Sequence, residues 1–304
     1  LLLIAIFVLY APSLNHGFVL DDHIGVEQNQ NIRSLDTVFY SPFSFFRTLL
    51  LHISYSLGQL DPVYYRIMNV AFHFVTVIGT YVLIRLLIEN SLVAFFSALV
   101  FAVHPVLVEP VVWISALTYP QYSFLFIWSI IFYVLRGREK NKKLFTILCG
   151  ASFILSILSS EKAVVLPLVI LAYEWLFGSL KKNWKPVLTA FLLLLIFGVA
   201  MYPFFQGRIA TFAGSNVDGK VELMSPVIQI PKVIGTYVGL IFWPSRLTTY
   251  QLDELSMQQL PLLYNSIWLT AYLLGLVVSY LKNKKVFFFL LIFFVATLPA
   301  LIPI

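Results

Sequence analysis

The chain holds one cysteine in 304 residues, and only 11% of its residues are charged, against about 25% in a soluble globular domain. One thiol excludes a disulfide framework and every multi-cysteine metal site. The shortage of charge excludes a soluble globular protein. Internal repeats, low-complexity linkers and the inverted halves of many transporters are missing too. What is there is apolar: 60% hydrophobic residues and 16% aromatic ones, with a mean hydropathy of +0.89. The apolar residues lie in long runs between short charged clusters, the pattern of a polytopic helical membrane protein; a transmembrane barrel would alternate instead. The formal net charge of +6 therefore bears on sidedness, and no nucleic-acid partner is expected. With Leu1 in first place and apolar residues running to both ends, the sequence reads as a piece of a longer chain.

A hydrocarbon core of about 30 Å needs roughly 17 to 25 helical residues. Runs of about that length between charges predict nine spans: Leu1 to Leu14, Tyr64 to Ile88, Ser91 to Val112, Gln121 to Leu135, Leu144 to Ser160, Ala163 to Phe177, Pro186 to Phe205, Ser266 to Leu281 and Val286 to Ile304. Alternating sides through them places 12 of the 20 basic residues on one face. They are Arg85, the Arg136 to Lys143 cluster, Lys181, Lys182, Lys185, Lys282, Lys284 and Lys285. That face carries +9 and the other −3, so the positive-inside rule makes the basic face cytoplasmic. Two long segments, residues 15–63 and 206–265, fall on the opposite face, where the chemistry is expected. Within them, Pro42 to Leu60 reads as an interfacial amphipathic helix with Arg47 and His52 on its polar side. Ile230 to Trp243 reads as a re-entrant or surface helix ended by Pro244. Residues 1–304 are thus expected to form a single transmembrane domain.

Some polar residues exceed what such a composition requires. Asp21 and Asp22 directly follow the first span; adjacent carboxylates at an interface repel each other and are partly desolvated, which suits a general base. An exposed loop pair is an equal reading. Arg66, Asn69 and His73, at i, i+3 and i+7, share one helix face and can point together into the bundle. Ionisable groups at membrane depth face a cavity or a partner; for His73 alone, a neutral ring bonded to a neighbouring helix is the plainer reading. Pro105 and Pro110 bracket Glu109 after His104 and break the third span near the outer surface. Glu161 and Lys162 are either a self-neutralising pair or ligands. Arg208, Lys232 and Arg246 either hold a phosphate or anchor the interface. Metal ligation is poorly supported, with a divalent ion at Asp21/Asp22 as a lesser alternative.

In order and spacing these residues resemble the GT-C glycosyltransferases. The nearest branch comprises the membrane domains of the transmembrane-and-tetratricopeptide-repeat protein O-mannosyltransferases and their bacterial relatives. The resemblance spans nearly the whole chain: Asp21-Asp22 with Asn29, Arg47 ahead of Leu49, Asn69 with His73, His104-Pro105-Val106 with Glu109, Glu161 followed by Leu166-Pro167, and Trp243-Pro244 with Leu247 and Tyr250. The chain departs from the family pattern at Thr48, where proline is usual, at Arg66, where histidine is common, and at Ser160, where lysine is.

The resemblance implies an all-α polytopic GT-C fold that transfers a sugar, with mannose as one expectation, from a polyprenyl-phosphate donor. The acceptor is a hydroxyl on a protein, lipid or glycan, and no cofactor is expected. Asp21 matches the family's leading catalytic acid, with Asp22 beside it. Arg66, Lys162, Arg208 and Arg246 are the candidate donor-phosphate cations, and Asn69, His73, His104, Glu109 and Glu161 the candidate sugar or acceptor pocket. The active site is expected on the extracytoplasmic side of a bacterial plasma membrane or, in a eukaryote, of the endoplasmic reticulum. A transporter or lipid-linked-sugar flippase, or a non-catalytic scaffold on the same fold, are the competing expectations.

Overall fold

Helix starts along the chain are set by short polar side chains that take up free backbone N–H groups. Asp61 accepts from the Val63 amide ahead of Pro62, Asn90 from Leu92 and Val93, Asn141 from Leu144, and Asn283 from Lys285 and Val286. The computed structural model describes residues 1–38, 45–215, 226–244, 247 and 262–301. All regular structure among them is helical. The chain divides into two units, Leu1–Ala163 and Val164–Ile304.

The first unit opens with α1 (Leu2–Tyr10) and a 3-10 turn, then passes through short turns to α2 (Phe45–Gly58) and α3 (Pro62–Ile88). There follow α4 (Ser91–Val103), the short α5 (Val108–Val112), α6 (Thr118–Arg138) and α7 (Lys142–Ser159). One core cluster joins Ile6 and Tyr10 of α1 to Val77 of α3, Ala98 and Ala102 of α4, and Val111 of α5. A second gathers Val26 and Ile32 from the first loop, Leu50 and Leu51 of α2, Tyr65, Ile114 and Leu117. Leu50 and Leu51 of α2 are thus spent on the protein's own core, while Ile53 and Leu57 of the same helix stay exposed.

The second unit contains α8 (Leu166–Leu176), α9 (Leu180–Ser215), α10 (Pro226–Phe242), α11 (Leu262–Lys282) and α12 (Lys284–Thr297). Helix α10 ends two residues short of Pro244, as the sequence predicts, and packs on α11 through Ile234, Val238 and Tyr272. The helices touch most closely at Gly235, where a Cβ would stand 2.3 Å from the Asn265 carbonyl oxygen. The buried Glu174 carboxylate caps the start of α9, accepting from the Ser179 amide and the Asn183 side chain. The α9 helix is kinked at Asn183.

The expected nine spans need correction. Among the described residues, four helices are long and apolar enough to cross a membrane: Pro62–Ile88, Lys142–Ser159, Leu180–Tyr202 and Leu263–Lys282. They coincide with the expected spans at Tyr64 to Ile88, Leu144 to Ser160, Pro186 to Phe205 and Ser266 to Leu281. Ser91 to Val112 is a pair of helices bent by 52° at Pro105, making a fifth span only if both arms count as one. Leu1 to Leu14 contains an α-helix of 9 residues. Ala163 to Phe177 begins in a 3-10 turn that leaves 11 α-helical residues, roughly 16 Å of rise. Gln121 to Leu135 lies in α6, which is 21 residues long but whose tyrosines, serines, Pro120 and Gln121 leave it just less apolar than the four. Val286 to Ile304 holds the last 12 residues of the 14-residue helix Lys284–Thr297 before a 3-10 turn, and its last three residues lie outside those described.

Candidate functional site

The two adjacent aspartates do opposite things. Asp21 is exposed and its carboxylate takes no hydrogen bond among the described residues, whereas Asp22 is 0% exposed. The Asp22 carboxylate accepts from the Val19 amide at 3.2 Å and, across 93 residues, from the Ser115 amide at 2.8 Å. These bonds tie the first loop to the chain between α5 and α6. Leu20, immediately before the pair, has φ of 50°, a left-handed conformation that costs a leucine about 1 to 2 kcal/mol. The Asp22 bonds hold the turn closed against that strain. After it comes a π-type turn, His23–Glu27, in which His23 Nδ1 meets Glu27 Oε2 at 2.5 Å on the surface.

Arg66, Asn69 and His73 share the buried face of α3, as their spacing predicts, and all three are at most 3% exposed. Each is bonded to main chain. Arg66 donates through its two terminal nitrogens to the His16 and Gly17 carbonyls, and through Nε to Val112 O at 3.3 Å. Asn69 Nδ2 donates to Trp113 O at 2.9 Å, and its Oδ1 takes no partner among the described residues. The His73 Nε2 lies 3.1 Å from Ala102 O, its ring packed edge-on to Tyr10 and beside Phe101. Arg66 and Asp22 are also within electrostatic reach of each other. These side chains join the first loop, α3 and the segment following α5 into one buried polar junction.

The other expected residues are less enclosed. His104 and Glu109 are half-buried on either side of the α4–α5 bend, and His104 Nδ1 accepts from the Val106 amide at 3.3 Å. Glu161 and Lys162 are half-buried in the turn after α7. The Lys162 ammonium rests 4.3 Å from the centre of the Tyr119 ring, a cation–π contact. The structure describes the backbone of Arg208 within α9, while Arg246 lies outside the described residues. Lys232 is buried on α10. No group of three or more histidine, cysteine, aspartate or glutamate side chains suited to a metal ion occurs among the described residues.

Sequence reasoning assigned no role at the site to two residues near this junction. Arg47 of α2 sits beside Asp22, and burial draws its guanidinium below the usual arginine range while the carboxylate opposes that effect. Its signal in the sequence is a lone cation on the polar side of an apolar helix. The Ser115 hydroxyl is buried and takes no hydrogen-bond partner among the described residues; nothing in the sequence marks it. Comparison with protein-family models, with curated protein sequences and with solved structures gives no match for this chain.

Proposed function

We propose that the chain is a membrane glycosyltransferase of the GT-C type. It moves a sugar from a polyprenyl-phosphate donor to an acceptor hydroxyl on the extracytoplasmic side, with inversion at the anomeric carbon. The observation that carries this reading is the divided aspartate pair, one carboxylate free at the surface and its neighbour buried as the anchor of the turn. A general base needs an accessible carboxylate in a fixed place, and a buried, doubly bonded neighbour supplies the fixing.

In the proposed reaction Asp21 takes the acceptor proton as the acceptor oxygen bonds to the anomeric carbon. The bond from that carbon to the phosphate oxygen breaks, and its electrons leave with the phosphate, which ionises readily and needs no acid. Cations stabilise the departing charge. Asp22 has both oxygens engaged by main-chain amides, so its part is to hold the turn. The Arg66 guanidinium is occupied by carbonyls and contributes charge alone, which leaves Lys162, Arg208 and Arg246 among the cations first considered. His104, Glu109 and Glu161, half-buried, suit a sugar pocket better than Asn69 and His73, which are buried against main chain.

One observation favours a non-catalytic scaffold: Asp22, Arg66, Asn69 and His73 all make bonds that a purely architectural junction would make. Asp21→Asn separates the two readings. In membranes containing labelled polyprenyl-phosphate sugars, an enzyme loses about 100-fold to 10,000-fold of its transfer rate. Expression and melting temperature stay unchanged, since Asp21 is exposed. Full transfer activity in Asp21→Asn would overturn the mechanism.

A further inference from the structure

Six lysines gather at one end of the second unit. Lys181, Lys182 and Lys185 lie in the first turns of α9, Lys282 closes α11, and Lys284 and Lys285 open α12. Five are exposed and Lys285 is half-buried, and none forms an ion pair among the described residues. Glu174 is the one acid among the described residues of this unit. Its buried carboxylate is already engaged by the Ser179 amide and the Asn183 side chain. The unit's other four acids, Asp218, Glu222, Asp253 and Glu254, lie outside the described residues, in the segment expected on the opposite face. The lysines are thus left without an exposed acid of their own unit beside them.

Aromatic side chains hold the two lysine-bearing turns together. Trp175, at the end of α8, stacks on Tyr280 of α11 with ring centres 6.0 Å apart and meets Phe287 of α12 edge-on at 6.1 Å, while Tyr280 and Phe287 are 5.1 Å apart. Tyr173 and Phe177 both pack on Phe288. The turn from α8 to α9 is fixed by Glu174, and Gly178 lets that carboxylate fold back, since a Cβ there would collide with it. Trp175, Tyr280 and Trp184 are exposed, and the Lys185 ammonium lies 5.8 Å from the Trp184 ring centre. Two candidate spans end here, Leu180–Tyr202 by its first residues and Leu263–Lys282 by its last. Next to the lysines their surfaces turn apolar at once, with Leu188 and Leu192 on α9 and Leu274, Val277 and Leu281 on α11 exposed. Lysines at the ends of spans stretch their charged heads into the headgroup layer, and tryptophan and tyrosine rings settle at the same depth.

We propose that this end of the second unit is a docking platform for anionic phospholipids. The lysines of the α8–α9 and α11–α12 turns take the headgroup phosphates, and Trp175, Tyr280 and Trp184 lie among the lipids at headgroup depth. Charge complementarity selects the occupant: a cluster of lysines at the end of a span attracts lipids with a net negative charge, and a zwitterionic headgroup offers none. The platform does not rest on the transferase reading.

The test is equilibrium binding to the full chain in non-ionic detergent, with dioleoyl phosphatidylglycerol, dioleoyl phosphatidylcholine and a soluble polyglutamate peptide as probes. The parent should prefer phosphatidylglycerol to phosphatidylcholine by about tenfold or more at low salt, and salt should weaken that preference. A triple variant, Lys181→Gln, Lys182→Gln and Lys284→Gln, should lose most of it, and arginine at the same three positions should keep it. These side chains are exposed, so melting temperatures should match the parent. A control triple, Lys140→Gln, Lys142→Gln and Lys143→Gln, removes equal charge from the exposed turn between α6 and α7. That turn carries its own acid, Glu139, and residues 136–144 include no aromatic side chain, so this variant should retain most of the preference. Equal binding of the two lipids by the parent overturns the platform, as does a preference that survives the first triple. Equal losses in both triples would trace the preference to overall charge and overturn it as well. Polyglutamate binding as tightly as phosphatidylglycerol, and lost in the first triple, would replace the lipid with an acidic protein partner.

Discussion

Asp22 shows how far a single side chain can be read from sequence. Its neighbourhood marked an acidic pair, but an exposed loop pair and a catalytic pair look alike on paper. The structure separates the two members because Ser115, 93 residues away, supplies an amide, and backbone amides leave no mark in a sequence. The same holds for Arg66, whose partners are main-chain carbonyls. A guanidinium that looks available for a phosphate is already spent. Asp22→Ala should be costly, since it leaves two amides unpaired and removes the carboxylate facing Arg47 and Arg66. About 3 kcal/mol of destabilisation is expected, read as a lower melting temperature in detergent. A melting temperature within a degree of the parent would mean that the junction does not anchor the loop.

At the scale of elements, the polar face of α3 was legible because a helix repeats its neighbours at three and four residues, and Arg66, Asn69 and His73 obey that spacing. The bend between α4 and α5 was legible from Pro105. The count of spans was not, because an apolar run measures composition, and composition is blind to where backbone hydrogen bonding changes. Residues 163–165 belong to a 3-10 turn despite their apolar character. The contact of α10 with α11 was equally hidden, since it depends on Gly235 meeting backbone atoms of Asn265. Small residues are what allow helices in an apolar solvent to approach this closely. Gly235→Ala should therefore push the two helices apart, with a cost of about 1 to 3 kcal/mol. Gly275→Ala on α11 has its nearest contact at 3.8 Å and should be nearly silent. Thermal unfolding of the two variants in the same detergent makes the comparison, and equal melting temperatures would contradict the close packing.

At the scale of the molecule, four helices among the described residues are able to span a membrane, and the basic clusters give the expectation for which loops lie on which side. Cys149 is buried and no other cysteine competes with it, so cysteines placed on a Cys149→Ser background report accessibility cleanly. In intact cells a membrane-impermeant thiol reagent should label Asn31→Cys and spare Lys143→Cys, both positions being exposed on the protein surface. The reverse pattern would invert the assignment of sides. The buried junction has a different consequence for the protein's history. Arg66 and Asp22 grip carbonyls, which every residue type provides, and amides, which every type but proline provides; even Gly17, one of the gripped positions, has nothing within 4 Å of a Cβ built there. Substitutions at positions 16, 17, 112 and 115 can therefore accumulate without a matching change at 22 or 66, and the junction can outlast the drift of the sequence around it while leaving no trace of paired change.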